Sequence, residues 1–173
     1  MAALDDLRTN LDLMVRMRNN MAPTDWQRNL IYKGNEDLVL RHGTVYTRAK
    51  RKPPPVCPIP KACFHQSYRL ATRKGSKWIY VEGFATSPDA LGLPVLHAWL
   101  TLPAHPGEAF DVAWTHRDAV YIGIPFQAAF VKSSLRANGE YSVLDAWPQH
   151  YPLLTGKIAL ADVIWKGGDA TIG

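Results

Sequence analysis

Residues 80–114 read YVEGFATSPDALGLPVLHAWLTLPAHPGEAFDVAW, and their alternation decides the fold. The run 78–85 reads as a strand, and 94–102 and 108–115 as two more around Pro103–Gly107, a hairpin connection. Successive side chains of a strand point to opposite faces. Leu96, Ala98, Leu100 and Leu102 therefore share one face with Phe110, Val112 and Trp114. Val95, His97, Trp99 and Thr101 share the other with Ala109, Asp111 and Ala113. A turn centred near residue 104 sets His97 directly opposite Asp111. A centre near 105 makes them diagonal neighbours, and either register lets the ring reach the carboxylate.

Working outward, residues 119–124 read as a further strand, and 61–74 as a helix stopped by Gly75. Residues 126–137 read as a helix stopped at Asn138-Gly139. Tyr141–Trp147 reads as a short helix, and 157–165 fits either helix or strand. At the N-terminus, Leu4, Leu7, Leu11, Met14 and Val15 recur at helical spacing over 4–19. Thr24-x-x-Gln27 has the form of a capping box, which predicts a second helix to about Leu40 with Gly34 weakening its middle. The basic run Thr47–Lys52 and the prolines at 53, 54, 55, 58 and 60 read as an extended surface connector. The expected fold is α+β: an antiparallel sheet of four to six strands, the 61–74 helix lying over its His97 face, and added N-terminal helices. Residues 1–52 form the helical extension with its connector and 53–173 the core domain, together one compact unit.

Composition bounds the function. The chain has 173 residues, 47% hydrophobic and 20% charged, a net charge of +5 and two cysteines. These values exclude a disordered, collagenous or coiled-coil chain. No apolar run approaches a membrane span, and Met1–Asp6 lacks a signal-peptide pattern, so the expectation is a cytoplasmic protein with no membrane partner. Cys57 and Cys63, set around two prolines, fit free thiols in a reducing compartment better than a disulfide.

Cys63, His97 and Asp111 follow one another in an order that suits nucleophilic catalysis. A thiol at a helix N-terminus is activated by free N–H groups and partial positive charge. An imidazole takes its proton and later delivers it, and a carboxylate holds the imidazole tautomer. The competing readings are a buried small cysteine, a hydrogen-bonded strand histidine and an aspartate paired with a base such as Arg117. Zinc held by Cys57, Cys63 and His65 is disfavoured, because Cys-x-His on one helix points its side chains apart by roughly 200°. No metal and no cofactor are expected. Arg48, Lys50, Arg51, Lys52, Arg69, Arg73, Lys74 and Lys77 are candidate phosphate contacts, the basis of an alternative non-catalytic module that binds a nucleic acid or a protein.

The segment from Cys63 to Trp114 resembles the transglutaminase-like branch of the papain-like cysteine hydrolase superfamily. The resemblance rests on Cys63 at a helix start, a strand with Glu82-Gly83, His97-Ala98-Trp99, and Asp111-Val112-Ala113-Trp114. The last element usually reads Asp-Pro-Thr, so Val112 and Ala113 depart from it. The resemblance covers residues 60–125. It implies Cys63 as nucleophile, His97 as acid and base, Asp111 as orienting group, and the Cys63 N–H as oxyanion donor. Glu82, Trp99 and Gln66 are candidate substrate contacts. The implied partner is a protein or peptide, cleaved, deamidated or cross-linked through a thioester.

Overall fold

The computed structural model describes residues 2–51, 62–86, 91–114, 116, 118–138 and 142–167. Helix α1 spans Ala2–Asn19. Its apolar spacing buries Leu7 and Leu11 completely, Asp5 lies in its first turn, and Arg16 and Arg18 lie in its last. Those charges complement the helix dipole. Next come a 3-10 turn at Trp26–Asn29, helix α2 (Asn35–His42) and strand β1 (Thr44–Arg48). Helix α3 (Cys63–Thr72) leads to β2 (Ile79–Thr86), β3 (Val95–Leu102), β4 (His105–Phe110) and β5 (Val120–Phe126). Helix α4 (Ala128–Asn138), a 3-10 turn at Trp147–Gln149 and the short α5 (Leu160–Val163) complete the described chain.

The mixture of helix and sheet is α+β, but the sheet is closed. Its strands form a barrel in the order β1-β4-β3-β2-β5. The closing strand is β1, antiparallel to β5 and parallel to β4. The expected wholly antiparallel sheet therefore needs correcting at this one seam. So does the boundary at residue 52: β1 lies before it and belongs to the barrel, and Leu7, Leu11, Leu38 and Val39 share a core with Tyr80, Leu100 and Ile124. Lys52 and the prolines at 53–60 lie outside the described residues.

Two apolar clusters divide the side chains by strand parity. The outer one holds Tyr80, Phe84, Ala98, Leu100, Phe110, Ile122, Ile124 and Phe126 under the helices. The inner one fills the barrel with Tyr46, Val81, Ala85, Trp99, Ala109, Ala119 and Tyr121. Strand β2 lies between β3 and β5, and all eight of its residues are buried. Its Gly83 pairs with His97 on one side and Gly123 on the other. A Cβ on Gly83 would stand 2.2 Å from the Ile122 carbonyl oxygen, and one on Gly123 would stand 2.5 Å from the Trp99 ring. The two glycines let neighbouring strands and the indole approach more closely than any side chain would allow.

Other local expectations change for identifiable reasons. The Gln27 side-chain Oε1 accepts from the Thr24 N–H at 2.8 Å, but this half of a capping box opens only a 3-10 turn. The expected second helix breaks at Gly34, whose φ of 143° an L side chain resists, and restarts at Asn35. Residues 142–146 form no helix; their backbone N–H groups point instead at Glu82 and Ser142. Tyr141 lies outside the described residues. Among the described residues, no helix is long and apolar enough to cross a membrane.

Candidate active site

The β3–β4 hairpin sets the first contact. Its turn is Pro103-Ala104, two residues rather than five, and Leu102 pairs with His105. An irregularity between Leu100 and Leu102 then shifts the register, so that Leu100 pairs with Phe110. Extended one step, that register sets Asp111 diagonal to His97. The strand ends at Phe110, and Asp111 turns with the chain: its Oδ1 accepts the N–H groups of Ala113 at 2.8 Å and Trp114 at 2.9 Å. Its Oδ2 is thereby aimed at His97, whose Nε2 donates to it at 2.7 Å.

Both groups are almost fully buried. Burial alone pulls an imidazole downward, but the Asp111 carboxylate and the Cys63 side chain outweigh it and lift His97 to about 9. Burial pushes Asp111 upward, yet the facing imidazole and the two N–H donors hold it below its ordinary value. Trp114 lies face to face with the ring, centroids 4.2 Å apart and planes within 20°, and covers it from one side.

Helix α3 supplies the sulfur. Cys63 is its first residue, buried, with a free thiol. Ala62 precedes the helix and provides no side-chain cap, so the first-turn N–H groups are not claimed by a capping side chain. The Cys63 side chain lies close enough to His97 to favour the charged form of its ring. The body of α3 does not lie over the His97 face as expected. Leu70 and Ala71 pack with Tyr80 and Leu100 on the outer face, and the Ser67 hydroxyl donates to the Ala98 carbonyl at 3.4 Å. Only the helix start reaches the inner group.

Of the three candidate substrate contacts, Glu82 and Trp99 take other positions. Glu82 has even parity in β2 and faces the outer core, away from His97. It is fully buried and accepts four hydrogen bonds, from the Tyr80 hydroxyl at 2.6 Å, Ser142 Oγ at 2.6 Å, and the N–H groups of Val143 at 2.8 Å and Leu144 at 2.9 Å. Burial raises its carboxyl above the ordinary value against the pull of those donors. It fastens the 142–144 segment to β2 and leaves no free acceptor for a ligand. Trp99 fills the barrel, edge-on to Tyr46 at 5.5 Å between centroids and tilted against Tyr121 at 5.0 Å, with no surface exposed. Gln66 is buried one turn after Cys63 in the same helix.

Two residues beside Asp111 fall outside the sequence reading. The Tyr121 hydroxyl donates to Asp111 Oδ2 at 3.0 Å. Arg48 donates from Nη1 to the Tyr121 oxygen at 3.2 Å, and that nitrogen lies 3.8 Å from Asp111 Oδ2. The basic partner of Asp111 is thus Arg48 from β1; Arg117 lies outside the described residues. Arg48 is drawn inward to Tyr121 and Asp111 instead of standing on a basic surface run. Had Thr44–Arg48 been read as a strand, its alternation would have placed Tyr46 and Arg48 on one inward face. Cys57 lies outside the described residues, and among the described residues no three His, Cys, Asp or Glu side chains gather to hold a metal.

Compared with known proteins, the chain matches no family model, no curated protein and no solved structure.

Proposed function

We propose that this protein is a cysteine-dependent hydrolase or acyltransferase of the transglutaminase-like kind, acting on amide bonds of a protein or peptide. The observation that carries the reading is a buried imidazole bonded through Nε2 to the Asp111 carboxylate at 2.7 Å, with the helix-opening Cys63 side chain close enough to favour its charged form. The order of helix with cysteine, strand, strand with histidine, and aspartate after the next strand is the one the resemblance implies, carried here on a five-stranded sheet closed into a barrel by β1 rather than on the expected papain-like core.

The chemistry follows from the placements. His97 accepts the Cys63 proton, and the sulfur attacks the carbonyl carbon of the amide. The C–S bond forms as the carbonyl π pair moves to oxygen. In this reading the Cys63 N–H at the helix start, with the Gln66 amide as a further candidate, would donate to that oxyanion. The oxyanion collapses, the C–N bond breaks, and the His97 proton goes to the departing amine. A thioester remains. Water, or an amine, then attacks with His97 as base, and the sulfur leaves and recovers its proton. Asp111 holds the ring throughout and stays ionised, since four donors surround its two oxygens. Trp114 shields the His97–Asp111 hydrogen bond from water, where it is strongest.

The test is mass spectrometry of the full chain incubated with a glutamine- and lysine-containing peptide library, with and without a primary amine. The expected result is a thioester adduct on Cys63, and peptide products lost in Cys63→Ala and reduced roughly 100-fold or more in His97→Ala. Products that persist in Cys63→Ala, or a Cys63 thiol alkylated by iodoacetamide no faster than glutathione at neutral pH, would overturn the proposal and favour a binding module.

A further inference from the structure

The surroundings of Asp111 go beyond what a cysteine–histidine–aspartate relay requires. Each carboxylate oxygen already has a role: Oδ1 takes two backbone N–H groups and Oδ2 takes the His97 ring. A fourth donor nevertheless competes with the imidazole for Oδ2. The Tyr121 hydroxyl, from β5, approaches to 3.0 Å, and behind it stands a guanidinium from β1, 3.2 Å from the phenol oxygen and 3.8 Å from Oδ2. Arg48 Nη2 also reaches the Asp111 main-chain oxygen at 3.5 Å. The Arg48 side chain is only 14% exposed, so water screens this charge weakly.

We propose that Arg48 and Tyr121 are positioning residues, a guanidinium–phenol clamp that fixes the Asp111 carboxylate and withholds part of its negative charge from His97. This deepens the acyl-transfer reading and rests on it. The proposed reaction asks the ring to hold a proton for the departing amine and then to be free of it when water attacks the thioester. A buried carboxylate devoted to the imidazole alone would hold the ring charged through both steps. A donor and a cation on the far side of Oδ2 reduce that hold. Among the described residues, the groups facing the pair are few. They are Cys63 from α3, Arg48 from β1 and Tyr121 from β5, with Tyr46 of β1 set against Trp99 in the same inner cluster. Strand β2 contributes only Val81 and Ala85 to that cluster.

The signs of the variants follow. Tyr121→Phe removes one donor from Oδ2, and Arg48→Met removes the opposing positive charge. Each returns negative charge to His97, so each raises the pH at which the ring loses its proton. Loss of Asp111 orientation alone would do the reverse, because burial without its partner pulls the ring downward. Arg48→Lys keeps the charge and rescues most of the effect.

The experiment is a nitrogen-15 NMR titration of histidine-labelled full-length protein, with the His97 ring assigned by its loss in His97→Gln. The wild-type midpoint is expected near 9. In Tyr121→Phe and Arg48→Met it should rise by roughly half a unit to one unit, with Arg48→Lys close to wild type. The alkaline limb of iodoacetamide alkylation of Cys63, read in a Cys57→Ser background, should move in the same direction. An unchanged or lowered midpoint overturns the clamp. Tyr121→Phe removes a single oxygen and decides the matter if Arg48→Met disturbs β1. A raised midpoint beside a Cys63 that alkylates like a free thiol upholds the clamp's electrostatics and overturns only the acyl-transfer reading.

Discussion

Replacing Asp111 by Asn tests the electrostatic centre of the site without removing its shape. The Asn oxygen can still accept from the Ala113 and Trp114 N–H groups, while an amide NH2 replaces Oδ2 in front of His97. The charged ring then loses its partner and keeps its burial. In the native protein His97 is lifted from 6.5 to about 9. That interval corresponds to roughly 3 kcal/mol of preference for the imidazolium, an upper figure because Cys63 supplies part of it. The sign is fixed by linkage. A folded-state value above the unfolded one stabilises the fold fully below about 6.5, and that contribution disappears as the pH rises through about 9. Urea unfolding of Asp111→Asn and its parent, both in a Cys63→Ser background, should therefore show a destabilisation larger at pH 6 than at pH 10 by about 2 kcal/mol. Groups that titrate identically in both proteins cancel in this difference. An equal destabilisation at the two pH values would mean that His97 and Asp111 form no ion pair in the fold.

Two further substitutions probe the scaffold. Glu82→Gln leaves two of four buried donors without an acceptor, and should cost about 1–3 kcal/mol in urea unfolding at neutral pH. Because burial raises Glu82 in the folded state, acid stabilises the native protein relative to this variant, so the loss should grow as the pH falls toward the raised value; a loss that shrinks in acid would refute the account. Gly123→Ala drives a methyl to 2.5 Å from the Trp99 ring and should destabilise by about 1–3 kcal/mol. Adding Trp99→Leu should recover part of that, and strict additivity in the double-mutant cycle would argue against the contact.

The sequence makes the hairpin legible because its two parities carry different chemistry. Leu96, Ala98 and Leu100 belong to one apolar face, and His97 can only point the other way. Helix α1 and the start of α3 are legible for a similar reason, a local period and a local boundary. Glu82 shows the limit. Its parity opposes that of His97 across the Gly83 pairing, but its four hydrogen-bond partners are Tyr80 and a segment some sixty residues downstream. No local pattern announces such a contact. Strand β1 is masked differently: Thr44–Arg48 runs straight into Ala-Lys-Arg-Lys, and the charge and prolines that follow outweigh five residues of alternation. Its pairing with β4 joins Thr47 to Glu108, a relation that only the assembled barrel creates. With β1 hidden, Arg48 reads as surface charge instead of the neighbour of Asp111.

That seam bears on when the surroundings of His97 and Asp111 become complete. Pairings between distant parts of a chain form slowly, because the loop between them must first be closed. The hairpin carrying His97 and Asp111 is local and can form early, whereas Arg48 arrives only when β1 docks between β4 and β5. A nascent or partly unfolded copy would thus own the imidazole and carboxylate before it owned the finished chamber around them. Under the acyl-transfer reading, closure of the barrel would be the event that completes the surroundings of His97 and Asp111.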